Sequence, residues 1–339
     1  MTVAWVLGST GLLGSALCRR LRDAGCELFF PSERFPWFDS DAMQPAMRRA
    51  VQSFGARVES ARPWQIYWAA GAGTMGSRPE DLTGETQALQ TLLCLVAADQ
   101  RLMDAEGAVA LASSAGAIYA GAGDRIATET TPVAPTTPYA AEKLHQECLL
   151  RAFAAESPRQ RALLARISTL YGAGQASGKK QGLLSQIARN ILRNRPVHIY
   201  VPFDTVRDYI EAGDAADRIV HALREPSTET SCQVRIIASE RPVSIAEIIA
   251  NFKRIARKNP RIVTSAGRLS NLYARRMLFR STLPWSSVVR PARQIAVGIA
   301  QLLMSELTAY AGATTSTMHG RPQPQRTAIP LRFSEKDAP

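Results

Sequence analysis

The sequence has no long hydrophobic run, and its cysteines lack the pattern of a disulfide framework. No uninterrupted apolar stretch reaches the roughly 18 residues that a membrane span needs. The five cysteines are odd in number and widely spaced, with no Cys-x-x-Cys pair, which indicates reduced thiols rather than disulfides or a zinc knuckle. The strand-like VAWVLG starts almost at the first residue, which leaves no room for a cleavable signal segment. We therefore expect a cytoplasmic protein without a transmembrane segment.

Acidic residues are absent from the stretch between Lys253 and Arg293. Its eleven basic residues account for +11 of the net charge of +12. Such a segment favours an anionic partner, namely a diphosphate ligand, a phospholipid surface or nucleic acid, but a solvated basic face is the slightly favoured explanation. Few aromatic residues lie among the charges, which argues against a nucleic-acid platform. The four histidines (His145, His198, His221 and His319) show no ligand spacing, so we expect no metal site.

The order of apolar runs and helical patterns predicts an α/β protein. Short runs such as TVAWVLG, CELFFP, QIYWAAG and GAVALASS alternate with helical segments, which is typical of a doubly wound parallel sheet of the Rossmann type. We expect a dinucleotide-binding domain over residues 1–174 and a small mixed α/β, mainly substrate-binding portion over 175–311, interleaved with the last Rossmann elements. In that portion SIAEIIANFKRIARK predicts an amphipathic helix with its isoleucines in the core. Residues 312–339 contain four prolines and little periodicity, which predicts a mobile tail.

Three glycines separate the first strand from the first helix. Gly8, Gly11 and Gly14 in GSTGLLG permit a tight turn, a close approach of the backbone to a pyrophosphate and tight packing of helix on strand. The helix N-terminus that follows offers amide groups and a favourable dipole to the phosphates. This stretch therefore predicts a dinucleotide site.

The end of the second strand bears on the choice of cofactor. An acid that holds the adenosine ribose is usual there, whereas this chain has Ser32, followed by Glu33 and Arg34. A hydroxyl and a guanidinium suit a 2′-phosphate, and a carboxylate repels it. NADP is therefore favoured over NAD, although Glu33 remains a ribose ligand in the alternative.

A tyrosine and a lysine share one face of a later helix. In TPYAAEKLHQE, Thr137 and Pro138 suit a helix start, and Tyr139 and Lys143 lie four positions apart. We expect the two side chains to point the same way.

These motifs occur in an order that resembles the extended short-chain dehydrogenase/reductases, and among them the NAD-dependent epimerase/dehydratase family that acts on nucleotide sugars. The resemblance runs from Val3 to about Tyr310 and rests on GSTGLLG, on IYWAAG as the fourth strand and ASSAGAIYAG as the fifth, on YAAEK, and on ARISTLYGAGQ followed by VRDYIEAGDAADRIV. It implies a homodimer that binds NADP or NAD and a nucleoside-diphosphate sugar. The implied cofactor ligands are Gly8, Thr10, Gly11, Leu12, Gly14, Ser32, Arg34, Ala69, Ala70 and Lys143.

The resemblance also implies the catalytic roles. Tyr139 would be the general acid or base at the sugar oxygen, with Lys143 beside it. We expect the positive charge of Lys143, together with an oxidised nicotinamide, to lower the pKa of Tyr139 from about 10 toward neutrality. The family's third catalytic residue, a Ser or Thr, falls on Ala115, so Ser114 is the expected substitute and Ser113 the second choice.

Three further positions follow from the resemblance. Glu85 stands where the family has an Asn, with Thr86 next to it. Arg207 matches an arginine that contacts the substrate diphosphate, although an ion pair with Asp208 is the alternative. Lys179 and Lys180 are additional candidates for phosphate contacts.

The predicted function is nucleotide-sugar epimerisation or reduction by hydride transfer at a sugar carbinol or ketone, in polysaccharide or glycoconjugate synthesis. Ser32, Glu33 and Arg34 favour a 4-ketoreductase that uses NADPH. A 4-epimerase that retains NAD, a reductase of lipophilic substrates and a non-catalytic NAD(P)-binding sensor or scaffold are the alternatives. A dehydratase is disfavoured because Gly116 and Ala117 replace the acidic pair that elimination of water requires in the family.

Overall fold

The computed structural model describes residues 1–37, 39–58, 62–123, 125–174, 182–225, 231–264 and 275–319. The strands in this part of the chain are β1 (Val3–Leu7), β2 (Glu27–Phe29), β3 (Trp64–Trp68), β4 (Gly107–Ser114), β5 (Ile126–Ala127), β6 (Gln160–Ile167), β7 (Thr169–Tyr171), β8 (Val197–Ile199), β9 (Val206–Glu211), β10 (Cys232–Ile237), β11 (Pro242–Ser244), β12 (Ile262–Thr264) and β13 (Leu278–Phe279). The helices are α1 (Leu12–Asp23), α2 (Ser40–Arg57), α3 (Pro79–Ala97), α4 (Gln100–Asp104), α5 (Ala115–Ile118), α6 (Pro138–Ala155), α7 (Leu183–Leu192), α8 (Ala212–Arg224), α9 (Ile245–Ala256) and α10 (Ile295–His319).

Six of these strands form one parallel sheet, in the order β10-β6-β4-β3-β1-β2. Alternate residues of each strand face opposite sides, and both sides are apolar, as in a sheet covered by helices on both faces. Val3, Trp5 and Leu7 pack with apolar residues of α2, α3 and α6, whereas Ala4 and Val6 pack with those of α1 and α8. The predicted doubly wound fold is confirmed.

The sheet has one strand fewer on its β2 side than the sequence analysis assumed. In the described residues no strand lies between α2 and β3, so β2 is an edge strand and β3 pairs directly with β1. The numbering of IYWAAG as the fourth strand and of ASSAGAIYAG as the fifth was therefore wrong, because they form the third and fourth. An aromatic cluster of Trp5, Phe29, Phe54 and Trp64 fills this side of the molecule, with successive ring centroids 5.3 to 6.1 Å apart.

The second half of the chain adds smaller sheets and a layer of helices. Strands β11, β9 and β7 form a three-stranded sheet, and β12 pairs with β8. Helices α7, α9 and α10 pack on one another around Ile248, Phe252 and Ile299. The amphipathic helix expected in SIAEIIANFKRIARK is confirmed as α9, which a Ser244–Glu247 capping box begins.

Four predictions from the sequence concern the C-terminal tail, the domain boundaries, the cysteines and a membrane span. Helix α10 extends to His319, eight residues into the predicted tail, and residues 320–339 lie outside the described residues. The domain boundaries stay a prediction. The five cysteines form no disulfide. Over the described ranges, no helix combines the length and the apolar character needed to cross a membrane.

A buried carboxylate anchors helix α6 to the central sheet. Glu147, which is fully buried, accepts hydrogen bonds from Arg166 Nε at 2.9 Å and Nη2 at 2.7 Å and from Ser113 Oγ at 2.8 Å. Arg151 Nη2 also donates to it, at 3.2 Å. Arg166 belongs to β6 and Ser113 to β4, so one carboxylate joins a helix to two neighbouring strands.

We expect Glu147→Gln to destabilise the protein, because the buried Arg166 guanidinium would lose its counter-charge. Breaking a buried ion pair in this way costs about 3–5 kcal/mol of unfolding free energy. Urea denaturation followed by circular dichroism measures the loss. The control is Glu156→Gln, at the exposed C-terminal end of the same helix, which should leave the unfolding midpoint unchanged. Equal midpoints for the two variants would contradict the anchoring role.

Candidate active site

The turn from β1 into α1 lets the protein backbone come close to a ligand. Gly8 has φ of +82°, and a Cβ there would lie 2.6 Å from the carbonyl oxygen of Ala69. A Cβ on Gly14 would lie 2.1 Å from the carbonyl oxygen of Gly8, so only glycine permits this packing of α1 on the turn. No side chain caps the start of α1, which leaves the amides of its first turn available for phosphate oxygens.

A cleft of about 880 Å³ opens at this turn. Of the residues predicted to bind a cofactor, Gly8, Thr10, Gly11, Ala69 and Ala70 line it. Most of its other lining residues were not predicted from the sequence, and they include Trp37, Asp39, Met43 and Gln44. The signal that was available is Asp39, an acid in the DSDAM stretch, which caps α2 by accepting from the amide of Ala42 at 3.0 Å.

Ser32, Glu33 and Arg34, which follow β2 after two intervening residues, are exposed. Glu33 forms an ion pair with Arg49, with Oε1 and Nε 2.7 Å apart, and hydrogen bonding to Arg49 lowers the pKa of this glutamate. Ser32 and Arg34 lie on the same exposed stretch, outside the residues that line the cleft. A carboxylate that already has a cation as its partner repels a 2′-phosphate less than an isolated one does.

Helix α6 begins as predicted. The Thr137 side chain accepts from the amide of Ala140 at 3.2 Å, and Pro138 occupies the first turn. Tyr139 in that turn is half-buried, and the hydroxyl of Ser114, at the carboxyl end of β4, is close enough to the phenol to act on it and lower its pKa. The Ser114 hydroxyl also accepts from the amide of Ala117 at 3.3 Å, which caps the short helix α5. The structure thus brings together two of the three predicted catalytic residues.

The electrostatics of Tyr139 differ from the sequence expectation. Burial, together with the nearby negative charge of Glu85, raises the pKa of Tyr139 to about 12, against the hydrogen bond from Ser114 that lowers it. The lowering expected from Lys143 concerns the enzyme with an oxidised nicotinamide bound, and it stays a prediction. The phenol is shielded from water, which disfavours its charged form. Tyr139 consequently holds its proton at neutral pH.

Lys143 is buried one helical turn further along. Its Nζ lies 5.8 Å from the centroid of the Tyr139 ring and donates to Gln146 Oε1 at 2.9 Å. Gln146 Nε2 in turn donates to Thr86 Oγ1 at 3.0 Å, which links α6 to α3. Burial lowers the pKa of Lys143, against the opposing influence of Glu85. The Gln146–Thr86 pair therefore positions the ammonium. No local sequence pattern predicts this pair.

The neighbours of Ser114 point elsewhere. The Ser113 hydroxyl faces the other side of β4 and donates to Glu147, as period-two alternation along a strand requires. Ala115 is fully buried at the start of α5. Ser114 is thus the member of this trio whose hydroxyl contacts Tyr139.

Glu85 holds the loop that follows β3. Its Oε1 accepts from the amides of Ala72 at 2.5 Å and Gly73 at 2.7 Å, and the carboxylate lines the cleft. This negative charge helps to raise the pKa of Tyr139. For Lys143 it opposes the lowering of the pKa that burial causes. The replacement of the family's asparagine therefore gives this cleft a carboxylate where an amide is usual.

The predicted phosphate-binding residues lie farther along the chain. Arg207 is buried on β9, and its Nη1 donates to the carbonyl oxygen of Val206 at 2.8 Å. Asp208 faces the opposite side of the strand and accepts from Ser168 Oγ at 2.6 Å and Ser239 Oγ at 2.9 Å. Lys179 and Lys180 lie outside the described residues.

The sequence profile of the NAD dependent epimerase/dehydratase family matches residues 4–237. The chain belongs to this family, and it is an NAD(P)-dependent enzyme of the extended short-chain dehydrogenase type.

Similarity to individual proteins points the same way. The chain is 24% identical over 290 residues to dTDP-L-rhamnose 4-epimerase of Burkholderia thailandensis, which covers 72% of this chain and 79% of the relative. It shares its fold with MoeE5 in complex with UDP-glucuronic acid and NAD, at a TM-score of 0.74 and 21% identity, over 91% of this chain and all of the other. RMD from Pseudomonas aeruginosa, complexed with NADPH, has a TM-score of 0.71 and 20% identity over 91% of this chain and all of its own. A nicotinamide cofactor suits the glycine turn, the uncapped helix start and the cleft described above.

We expect Gln146→Leu to move the alkaline limb of the pH–rate profile to lower pH. The lysine pKa is lowered and that of Tyr139 raised, so Lys143 is the first of the two to lose its proton as the pH rises. Removing the Gln146 acceptor destabilises the ammonium and lowers its pKa further. The profile of kcat/KM measures this shift.

The matched variant is Gln146→Glu, which places a negative charge beside the ammonium and should move the same limb to higher pH. Identical limbs in the wild type and both variants would show that Gln146 does not position Lys143.

Proposed function

We propose that this enzyme transfers hydride at a carbinol or ketone carbon of a nucleotide sugar, and that its reaction is the reduction of a 4-keto sugar by NADPH. The observation that carries the proposal is the paired hydroxyls of Ser114 and Tyr139, in which Tyr139 retains its proton because of burial and Glu85. A protonated phenol close to a second hydroxyl suits proton donation to a carbonyl oxygen, and Glu85, whose charge acts on this phenol, lines the cleft. The product would serve polysaccharide or glycoconjugate synthesis.

Each residue of the site has a definite task in this reaction. When bound, the nicotinamide dinucleotide supplies the hydride. Ser114 donates a hydrogen bond to the sugar ketone oxygen and orients it toward Tyr139. Tyr139 gives its proton to that oxygen as negative charge develops there. The ammonium of Lys143, held by Gln146, stabilises the phenolate that remains.

The cofactor assignment rests on the surface after β2. NADPH is supported by the exposed Arg34 and by the ion pair of Glu33 with Arg49. A guanidinium binds a phosphate with charge-assisted hydrogen bonds, which an unmodified ribose hydroxyl does not provide. The substrate diphosphate is assigned to Arg207 by the family resemblance, and the homodimer likewise stays a prediction.

A 4-epimerase that retains NAD is the second candidate. It is supported by the similarity to the Burkholderia thailandensis 4-epimerase over 72% of this chain. Such a reaction requires Tyr139 to act as a base as well as an acid, which the raised pKa of its phenol opposes. The two candidates differ in whether NADPH is consumed stoichiometrically.

We expect Ser114→Ala to lower kcat for NADPH oxidation by about 10²–10³, the usual effect of removing one hydrogen-bond donor at a developing oxyanion. The assay uses a panel of nucleoside-diphosphate 4-keto sugars. Ser113→Ala is the matched control, because it removes the neighbouring hydroxyl on the other side of the strand. It should lower the unfolding free energy by about 1 kcal/mol and leave kcat nearly unchanged.

An equal loss of kcat in both serine variants would contradict the role of Ser114. Absence of NADPH oxidation by the wild type, together with interconversion of two sugar epimers, would replace the reductase by the epimerase.

We expect Arg34→Ala to weaken NADPH binding by about tenfold to a hundredfold, since a hydrogen bond to a charged group is worth about 1.5–3 kcal/mol. NADH binding should stay unchanged, because NADH lacks the 2′-phosphate. Fluorescence titration of both cofactors measures the two affinities, with Arg19→Ala on the exposed face of α1 as control. An unaltered preference between the cofactors would reject Arg34 as the 2′-phosphate ligand.

A further inference from the structure

The C-terminal helical layer carries a basic surface that the reaction does not use. Two basic residues follow α7 and three follow α9, and all five are exposed. We call this set the basic patch, and its members are Arg193, Arg195, Arg257, Lys258 and Arg261. None of them lines the cofactor cleft.

The basic patch is concentrated because α7 and α9 end side by side. A cleft of about 370 Å³ lies between the two helix ends, and Arg195, Lys258 and Arg261 line it without any carboxylate among the lining residues. Asn194 and Arg257 adopt left-handed conformations, with φ of 51° and 50°, so the chain turns sharply after each helix. Cations at helix C-termini are stabilised by the helix dipole, which accounts for one or two of these charges but not for five.

Helix α10 lies beside these ends and is unusual in its lack of charge. Its 25 residues include one acidic residue and no Lys or Arg. The single acid, Glu306, pairs with Arg189 of α7 at 3.0 Å. The outer face nevertheless exposes large apolar side chains, with Met304 63% and Leu307 46% accessible. A helix whose outer face meets only water normally carries charged side chains there.

The apolar face and the basic patch adjoin each other. The Arg189–Glu306 ion pair and the contact of Arg193 with the Tyr310 ring, 5.9 Å from guanidinium carbon to centroid, show that α10 runs alongside α7 in the same direction. The turn of α10 that follows Met304 and Leu307 therefore reaches Arg193 of the basic patch.

We propose that this surface docks the enzyme on an anionic phospholipid bilayer. Cations beside exposed apolar side chains are the combination that binds reversibly at a bilayer surface, where the charges meet acidic headgroups and the apolar groups enter the boundary with the acyl chains. Arg195, Lys258 and Arg261 would face the headgroups, with Met304 and Leu307 below them.

The same observations disfavour the other occupants. A second copy of the chain, joined through the same surface by two-fold symmetry, would bring like charges together. Single-stranded nucleic acid binds by stacking successive bases on several aromatic rings, whereas the exposed large apolar side chains described on α10 include one aromatic ring, Tyr310, which contacts Arg193. The inference does not rest on which sugar the enzyme reduces.

The experiment is co-sedimentation of the full-length enzyme with vesicles of phosphatidylcholine alone or with added phosphatidylglycerol. We expect binding only to the anionic vesicles, and weaker binding as salt rises. Lys258→Glu combined with Arg261→Glu should weaken binding at least tenfold. Met304→Ser combined with Leu307→Ser should abolish the binding that persists at high salt.

The matched control reverses two exposed charges on α1, Arg19→Glu with Arg22→Glu, and should bind nearly as well as the wild type. NADPH binding by every variant verifies that it is folded. An equal loss in this control would assign the binding to net charge alone, and absence of binding to anionic vesicles would overturn the proposal. So would retention of a DNA oligonucleotide or an acidic protein in place of the vesicles.

Discussion

The site depends on the hydrogen bonds that the buried carboxylate of Glu147 accepts. It ties α6 to β4 and β6 through Ser113 and Arg166, whose hydrogen bonds hold the helix at a fixed height above the sheet. Tyr139 and Lys143 lie on the same helix, two turns and one turn before that anchor. Side chains alternate along β4, so Ser113 faces this anchor and the next residue, Ser114, points to the opposite side, toward the phenol.

A second constraint is the exclusion of water from the reacting groups. Burial of the Tyr139 phenol favours its neutral form, and burial of the Lys143 ammonium disfavours its charge. Glu85 acts in the same direction on both residues, since its negative charge keeps protons on them. Tyr139 is therefore present in its protonated form, which is the form that the reduction of a ketone requires.

The parts that sequence could predict are those set by local geometry. The glycine turn at Gly8 and the four-residue spacing of Tyr139 and Lys143 follow from backbone conformation and helix period, and both occur in the structure. The shortened edge beyond β2 was missed because the strand numbers were taken from the family resemblance, whereas the order of apolar runs, with QIYWAAG third and GAVALASS fourth, agrees with the structure. The contact of Gln146 with Thr86 was also missed, since it joins side chains 60 positions apart. The pKa of Tyr139 depends on burial, which no spacing in the sequence reveals.

Transfer of a labelled hydride tests whether this enzyme reduces a 4-keto sugar with NADPH. The enzyme is incubated with NADPH deuterated at the transferable position and with nucleoside-diphosphate 4-keto sugars, and the sugar product is analysed by mass spectrometry. We expect one deuterium on the reduced sugar carbon with the wild type. We expect none with Tyr139→Phe, which lacks the hydroxyl that donates the proton. A reduced sugar without deuterium, or equal labelling by the Tyr139→Phe variant, would contradict it.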